Sequence, residues 1–333
     1  MNYHILCTKT NLCLLVFCLV AAVGWTRFRH INLSRLSTNL KINGVEPDVF
    51  DHHTCHSLIG RPFHEKTLRL LHYASSNTSS AYQTIEEARR NKPISSNYSN
   101  LTEFILVIRE ALLSRRLAHQ GPMIPIIFHD PPFNDMVKPS CDGLWMEFGV
   151  FKGRSLTHAA KWKARYCGTD SDPIYGFDTF SGLPTDWRPG FGRGTFRLNE
   201  HNLPETPPNS ILVKGLFIDT LPNYLRSMDV QYGCRTPVAY LHIDCDIYDG
   251  ARDVLFLVGS RLVPGSIIIF DELFNYPTYE KHEIKAFYEF MASSRLLLIP
   301  IGSATEIRLD VVKQSPIQSF AFVVTSKEEN GIQ

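Results

Sequence analysis

The feature that most constrains this chain is a regular alternation of apolar runs and helical patterns that begins at Leu144. Apolar runs such as LWMEFGV, VAYLHIDCD and GSIIIFDE are separated by amphipathic segments such as RSLTHAAKWKARY and KHEIKAFYEFMASS. Strands this apolar are buried on both faces, as in parallel sheets that carry helices on each side. The pattern predicts an α/β fold with a doubly wound, mostly parallel sheet, in which ligands bind at the carboxyl ends of the strands.

The first two strand ends carry residues suited to a nucleotide-like ligand. Glu147, Gly149 and Gly153 follow the first strand, and the glycines allow a tight turn and close approach of a ligand to a helix N-terminus. Asp178 ends the second strand, where an acid can accept hydrogen bonds from ribose hydroxyls. The alternatives are a glycine turn common to any strand–helix unit and a helix cap at Asp178 or Thr179.

Two later strand ends each carry a pair of carboxylates. Asp244-Cys245-Asp246 ends one apolar run, and Asp271-Glu272 ends the next. Because neighbouring parallel strands end at the same edge of a sheet, these acids are expected to meet there, and oxygen ligands favour Mg²⁺, Mn²⁺ or Ca²⁺ over Zn²⁺. Two other interpretations stay open at this point: acids that merely face water, and the D-x-D metal motif of a glycosyltransferase.

Five segments in this order resemble the macrocin O-methyltransferase family, over about residues 140 to 325: MEFGVFKGRSLTHAA, YGFDTFSGLP, ILVKGLFIDTLP, YLHIDCDIYDGARDVL and PGSIIIFDE. Members of that family methylate sugar hydroxyls with S-adenosylmethionine and a divalent metal. The resemblance implies the class I methyltransferase fold, a seven-stranded sheet whose last strand is antiparallel. The chain departs from the family in having Asp271-Glu272 where two aspartates are usual.

Site roles follow from the resemblance. It implies that Glu147, Gly149 and Gly153 line the methionine end of S-adenosylmethionine, that Asp178 holds its ribose, and that the metal ligands are Asp244, Asp271 and Glu272. A metal, Mg²⁺ or Mn²⁺, would lower the pKa of a sugar hydroxyl. Asp244 is then the first candidate to accept the proton, with Asp246 and His282 as second choices. His242, inside its strand, is expected to be a packed core residue.

Residues 185–209 form a long segment rich in glycine and proline, TDWRPGFGRGTFRLNEHNLPETPPN. Loops of this length within a compact domain are usually functional or disordered. We interpret this one as a lid over donor and acceptor, in which Trp187 could stack on a sugar face. The alternative is a mobile surface loop.

The N-terminus predicts a membrane association. Residues 12–25, LCLLVFCLVAAVGW, contain no charge and are followed by several arginines. The run is shorter than the roughly 20 residues that span a bilayer comfortably, so it fits either a signal peptide or a short signal-anchor. Four sequons precede the α/β pattern, at Asn32, Asn77, Asn97 and Asn100. Together these features predict a single-pass type II membrane protein with its body in the Golgi lumen, N-glycosylated at those sites.

The chain divides, on these patterns, into a signal-anchor or signal peptide (1–25), a stem (26–60), a helical arm and connector (61–140), a methyltransferase domain (141–326) and a tail (327–333). In the arm, Phe104, Ile105 and Ile108 recur at helical spacing, and Asn100 or Thr102 is a plausible cap. Five cysteines lie beyond the apolar run, so at least one has no partner within the chain.

Composition narrows the function further. A net charge of +1 gives no basic surface for nucleic acid, so no nucleic-acid partner is expected. The predicted function is methylation of a sugar hydroxyl, on a hexose of glycoprotein or glycolipid glycans. The alternatives are a Golgi-type glycosyltransferase that uses Asp244-x-Asp246, a methyltransferase acting on a small hydroxylated metabolite, and a non-catalytic protein that kept the fold. The oligomeric state stays open, a homo-oligomer included.

Overall fold

The computed structural model describes residues 94–95, 98–113, 139–199, 203–303 and 318–327. Predictions for the apolar segment 12–25, the stem and the tail beyond 327 fall outside these ranges. So do the sequons at Asn32, Asn77 and Asn97.

Seven strands form a single sheet in the order β3-β2-β1-β4-β5-β7-β6. β7 is antiparallel to both of its neighbours, while the other pairs are parallel. The predicted seven-stranded sheet is therefore confirmed, and the antiparallel β7 makes it a mixed one. The strands are β1 (Leu144–Phe148), β2 (Ile174–Asp178), β3 (Ser210–Lys214), β4 (Val238–Ile243), β5 (Leu262–Phe270), β6 (Leu296–Ser303) and β7 (Phe320–Lys327).

Five α-helices are described. They are α1 (Leu101–Leu113), α2 (Arg154–Cys167), α3 (Phe217–Tyr232), α4 (Tyr248–Val258) and α5 (Glu283–Ser294). The last four alternate with the strands, as the hydrophobic pattern predicts.

Alternate residues of the strands enter two separate cores. Phe148, Phe177 and Ile243 pack on one face with α3, α4 and α5. Trp145 and Tyr240 pack on the other face with α2. Since successive side chains of a strand point to opposite faces, an apolar run with no polar alternation buries both, which is why the sheet is covered on two sides.

The helix α1 packs against the α5 side of this domain. The Asn100 side-chain carbonyl accepts a hydrogen bond from the backbone N–H of Glu103 at 3.0 Å, so Asn100 caps the helix, one of the two caps the sequence predicts. Phe104 is fully buried and meets the ring of Phe287 edge-on, with centroids 5.3 Å apart. Burial of its apolar stripe holds the arm helix on the domain.

Within the described ranges, no helix is long and apolar enough to cross a membrane. This finding contradicts the predicted single-pass type II Golgi membrane protein, and that localisation is corrected here. The prediction depended on the short apolar run 12–25, which lies outside the described ranges. Of the cysteines, Cys141 and Cys167 form a disulfide and Cys245 is a buried free thiol.

Candidate active site

A cavity of about 410 Å³ opens at the carboxyl ends of β1, β2 and β4. The strand order reverses between β1 and β4, which is where doubly wound sheets bind their ligands. Gly149, Asp178 and the Asp244–Asp246 turn all line this cavity, together with Glu272 after β5. The structure thus brings together, in one space, residues that the sequence predicts for the cofactor and for the metal.

Gly149 allows the turn after β1 to press against β4. Its φ is +93°, and a Cβ atom built there would lie 1.6 Å from the Asp244 carbonyl oxygen. No other residue type fits that position without moving one of the two chain segments. Gly153, also left-handed at φ +72°, begins α2 and lies against Pro204 and Thr206, outside the lining of the cavity.

Asp178 fastens the β1 turn to β2. One carboxylate oxygen accepts the N–H groups of Val150 and Phe151 at 2.9 and 2.8 Å, and the other accepts the N–H of Phe180 at 2.6 Å. Asp178 also lines the cavity. A carboxylate oxygen can accept more than one hydrogen bond, so the predicted contact with ribose hydroxyls is compatible with these bonds. No helix begins at Asp178, which rules out the alternative of a helix cap there.

Glu147 does not line the cavity. It is fully buried, accepts the Ser155 hydroxyl at 2.8 Å, and lies 3.1 Å from His242 Nδ1. Its carboxylate therefore joins β1 to α2 and β4 instead of facing the space available to a cofactor. His242 is 1% exposed, so the expectation of a packed core histidine agrees with the structure.

Three carboxylates meet at the edge of the sheet. Oxygens of Asp244, Asp246 and Glu272 all lie within 4.8 Å of one another. Burial first, and then the neighbouring acids, raise the pKa of Asp244 and of Glu272 well above the usual range, although both side chains keep partial exposure. For Asp246, burial and the charge of Asp271 raise the pKa to about 7, against a smaller lowering effect of Arg188.

The predicted metal set and this group differ by one residue. Asp271 is absent from the group, and one of its carboxylate oxygens accepts the Ser319 hydroxyl at 2.8 Å. Asp246 takes its place, because its backbone adopts a left-handed φ of +66° that sequence spacing gives no sign of. The third catalytic candidate, His282, is buried at the start of α5 and does not line the cavity.

These carboxylates fit a divalent cation on their chemistry. Oxygen donors of this type suit Mg²⁺, Mn²⁺ or Ca²⁺. The Glu272 Oε2 atom is also buried with no hydrogen-bond partner. A buried acceptor left unpaired costs free energy, and a cation would remove that cost.

Part of the predicted lid lies close enough to the carboxylate group of Asp244, Asp246 and Glu272 for the charge of Arg188 to act on Asp246. Trp187 is buried against Phe191, Phe196 and Tyr276, so in this conformation it forms the core of the loop and offers no free face to a sugar. The Arg188 guanidinium lies 3.7 Å from the Trp187 ring centroid and donates a hydrogen bond to Gln318 at 3.2 Å. The loop is therefore held to the start of β7.

A mixed seven-stranded sheet in this order, with a cavity at its switch point, defines the class I methyltransferase fold. Comparison with protein families is consistent with that class: residues 146–273 match the family model described as "Methyltransferase domain". These residues form a methyltransferase domain, and the prediction of an S-adenosylmethionine-dependent methyltransferase is confirmed. The match is to this general domain and not to the macrocin family in particular.

Among solved structures, the chain is similar to the calicheamicin methyltransferase CalS11, with 22% identity, a TM-score of 0.42, and coverage of 84% of this chain and 97% of that one. It is also similar to the O-methyltransferase NovP, with 17% identity, a TM-score of 0.38, and coverage of 55% and 72%. An O-methyltransferase from Bacillus cereus, in complex with SAH, has 13% identity, a TM-score of 0.31, and coverage of 78% and 97%. No curated protein matches the chain.

Proposed function

We propose that this chain transfers the methyl group of S-adenosylmethionine to a sugar hydroxyl oxygen, with a divalent cation at Asp244, Asp246 and Glu272. The observation that carries the proposal is the meeting of these three carboxylates in the cavity that Gly149 and Asp178 also line, within a methyltransferase domain. The sugar as acceptor is supported by the resemblance to the macrocin family in sequence.

Gly149 and Asp178 belong to the part of the cavity that we assign to S-adenosylmethionine. When bound, S-adenosylmethionine supplies an activated methyl group, so the protein's main contribution is to orient the acceptor oxygen in line with it. Gly149 lets the β1 turn lie directly against the Asp244 carbonyl, and Asp178 fixes that turn and keeps lone pairs for ribose hydroxyls. The cavity is also lined by three apolar side chains that would offer an apolar surface to the adenine: Leu216, Phe217 and Ile218.

The acids of the three-carboxylate group are the candidates to remove the proton of the acceptor hydroxyl. When bound, a divalent cation lowers the pKa of a coordinated hydroxyl. Asp244 and Asp246 are the two side chains of the group placed to take the proton, and His282 is set aside because it does not line the cavity. In the cation-free protein, burial and the charge of Asp271 raise the pKa of Asp246 to about 7. A cation bound to Asp246 would lower that pKa, so either aspartate remains a candidate for the base.

The more specific prediction of a glycoprotein or glycolipid glycan is not carried into this proposal, because it depended on the localisation that is corrected above. The glycosyltransferase alternative loses its main support, since the match to a methyltransferase domain includes Asp244 and Asp246. Methylation of a small hydroxylated metabolite remains the competing function.

The test offers the full chain methyl-labelled S-adenosylmethionine with hexose glycosides, glycoproteins and small diols, each with Mg²⁺, Mn²⁺ or EDTA. Label on a hexoside that is lost with EDTA and in Asp244→Asn supports the proposal. Asp170→Asn, an exposed acid on the loop after α2, is the matched control. Label on the diols alone would favour the metabolite methyltransferase, and transfer that survives EDTA would exclude the role of the cation.

A further inference from the structure

Glu283 is a buried acid that contacts the Asp244–Asp246 turn, called the carboxylate turn below, from a different element. It is the first residue of α5, is fully buried, and does not line the cavity. Its Oε1 atom accepts the backbone N–H of Cys245 at 3.2 Å and that of Asp246 at 3.1 Å. Two consecutive amides of the turn thus point at one carboxylate oxygen, an arrangement in which backbone N–H groups form an anion-binding concavity.

Among the residues that the structure describes, no basic side chain forms an ion pair with this carboxylate. Its Oε2 atom is buried without a hydrogen-bond partner. Burial first, and then the charges of Asp246 and Asp271, raise its pKa well above the usual range. A buried acid in an acidic neighbourhood is costly. Within the described ranges the hydrogen bonds to the Glu283 side chain come from Cys245 and Asp246, so its position calls for a structural explanation.

The hydrogen bonds to Glu283 hold a strained part of the backbone, at Cys245 and Asp246. Asp246 has a φ of +66°, a conformation that costs a non-glycine residue about 1–2 kcal/mol. In this conformation its carboxylate lies in the group with Asp244 and Glu272. Gly149 presses on the other side of the same turn, at the Asp244 carbonyl oxygen. The turn is thus fixed from β1 on one side and from α5 on the other.

We propose that Glu283 is a positioning residue, which holds the Cys245–Asp246 backbone so that Asp246 joins Asp244 and Glu272 in one cation site. This inference deepens the proposed function and rests on it for the cation. Glu283 would affect only the part of the cavity that holds the cation, because the proposed S-adenosylmethionine site is lined by Gly149 and Asp178. Loss of Glu283 is therefore expected to affect cation binding and kcat, with little change in the KM for S-adenosylmethionine.

The test compares three variants of the full chain. Glu283→Gln keeps an oxygen that can accept both N–H groups, whereas Glu283→Ala removes the acceptor and Glu283→Asp withdraws it by one methylene. Glu289→Gln is the control, since Glu289 lies on the same helix and accepts the Tyr248 hydroxyl instead of a backbone amide of the Asp244–Asp246 turn. Mn²⁺ affinity is measured by electron paramagnetic resonance, and protection of the Cys245 and Asp246 amides by hydrogen exchange.

The Ala and Asp variants are expected to lose protection at both amides and about 10–100-fold in Mn²⁺ affinity, the usual effect of removing a residue that orients metal ligands. The Gln variant and the control are expected to stay within about threefold of the wild type. Folding is checked by near-ultraviolet circular dichroism, and the Asp variant remains informative if the Ala variant does not fold.

Two results would overturn the inference. Unchanged amide protection in the folded Ala or Asp variant would show that Glu283 does not hold the turn. A Gln variant as impaired as the Ala variant would show that the negative charge matters and not the acceptor. Failure of the wild type to bind Mn²⁺ would instead count against the proposed cation, while hydrogen exchange would still decide the role of Glu283.

Discussion

At the scale of single residues, Gly149 offers a direct test of how closely β1 and β4 must approach. Gly149→Ala would place a Cβ atom 1.6 Å from the Asp244 carbonyl oxygen. Gly190→Ala is the matched control, because Gly190 has nearly the same φ, +88° against +93°, and open space around its Cβ position. The control is expected to lose about 1–2 kcal/mol from the left-handed backbone alone. Urea unfolding should show a larger loss, or no folded protein, for Gly149→Ala; equal losses would refute the close approach.

Asp246 makes a prediction about pH. Its pKa is raised from 3.8 to about 7 in the cation-free protein, so between these values the folded state binds more protons than the unfolded state. Stability from this group is complete below pH 3.8 and is lost as the pH rises through about 7. The melting temperature in EDTA should therefore fall between about pH 4 and pH 7, level off above that, and fall less in Asp246→Asn. An equal fall in both proteins would assign the effect to other groups.

At the scale of elements, the loop that holds Trp187 and Arg188 is expected to act as a unit. Arg188 lies over the Trp187 and Tyr276 rings and donates to Gln318, so Arg188→Ala should loosen the whole loop. It would also remove the positive charge that lowers the pKa of Asp246. We expect faster proteolysis within 185–199 and about a tenfold lower kcat/KM, the cost of losing roughly 1.4 kcal/mol in the transition state.

Arg193→Ala is the control for that experiment, because Arg193 is exposed on the same loop and no aromatic ring lies beneath its side chain within the described ranges. Proteolysis of this variant should match the wild type. If Arg188→Ala is cleaved no faster than Arg193→Ala, the loop is held by its aromatic core without the arginine.

The elements also show how far the sequence can lead. The strands are predictable because residues such as those of Val238–Ile243 are apolar without alternation, which leaves few structures other than a sheet buried on both faces. Gly149 and Asp178 are predictable because strand ends point to the ligand edge. What the sequence does not show is backbone conformation and long-range pairing.

The carboxylate edge illustrates that limit. Two strand ends carry four acids, and the resemblance to the macrocin family implies Asp271, and not Asp246, as a metal ligand. The choice between them depends on a left-handed φ at Asp246 and on the Ser319 hydroxyl, 48 residues from Asp271 in the chain. The role of Glu283 cannot be predicted from the sequence for a similar reason. Its contacts with Cys245 and Asp246 join α5 to the end of β4, and no local pattern indicates them. Glu147, conversely, resembles a cofactor ligand in sequence and is buried in the structure.

At the scale of the whole molecule, the carboxylates of Asp244, Asp246 and Glu272 link cation binding to folding. Asp244, Asp246 and Glu272 repel one another in the folded state, and burial raises the pKa of each, so the cation-free fold carries unfavourable charge. A cation that binds the folded state alone stabilises it by about 2.7 kcal/mol at a hundredfold excess over its Kd. For a domain of this size, each kcal/mol raises the Tm by about 2–4 °C.

Mg²⁺ or Mn²⁺ should therefore raise the Tm of the EDTA-treated protein by several degrees, and Glu272→Gln should reduce that rise. Glu280→Gln, an exposed acid on the segment before α5, should keep it. NaCl at matched ionic strength separates specific binding from screening, because salt weakens repulsion between charges without occupying the site. A rise with NaCl equal to that with MgCl₂ would mean that the acids of this edge only repel one another. A rise confined to the divalent ions, and lost with Glu272, would mean that a bound cation offsets the repulsion among Asp244, Asp246 and Glu272.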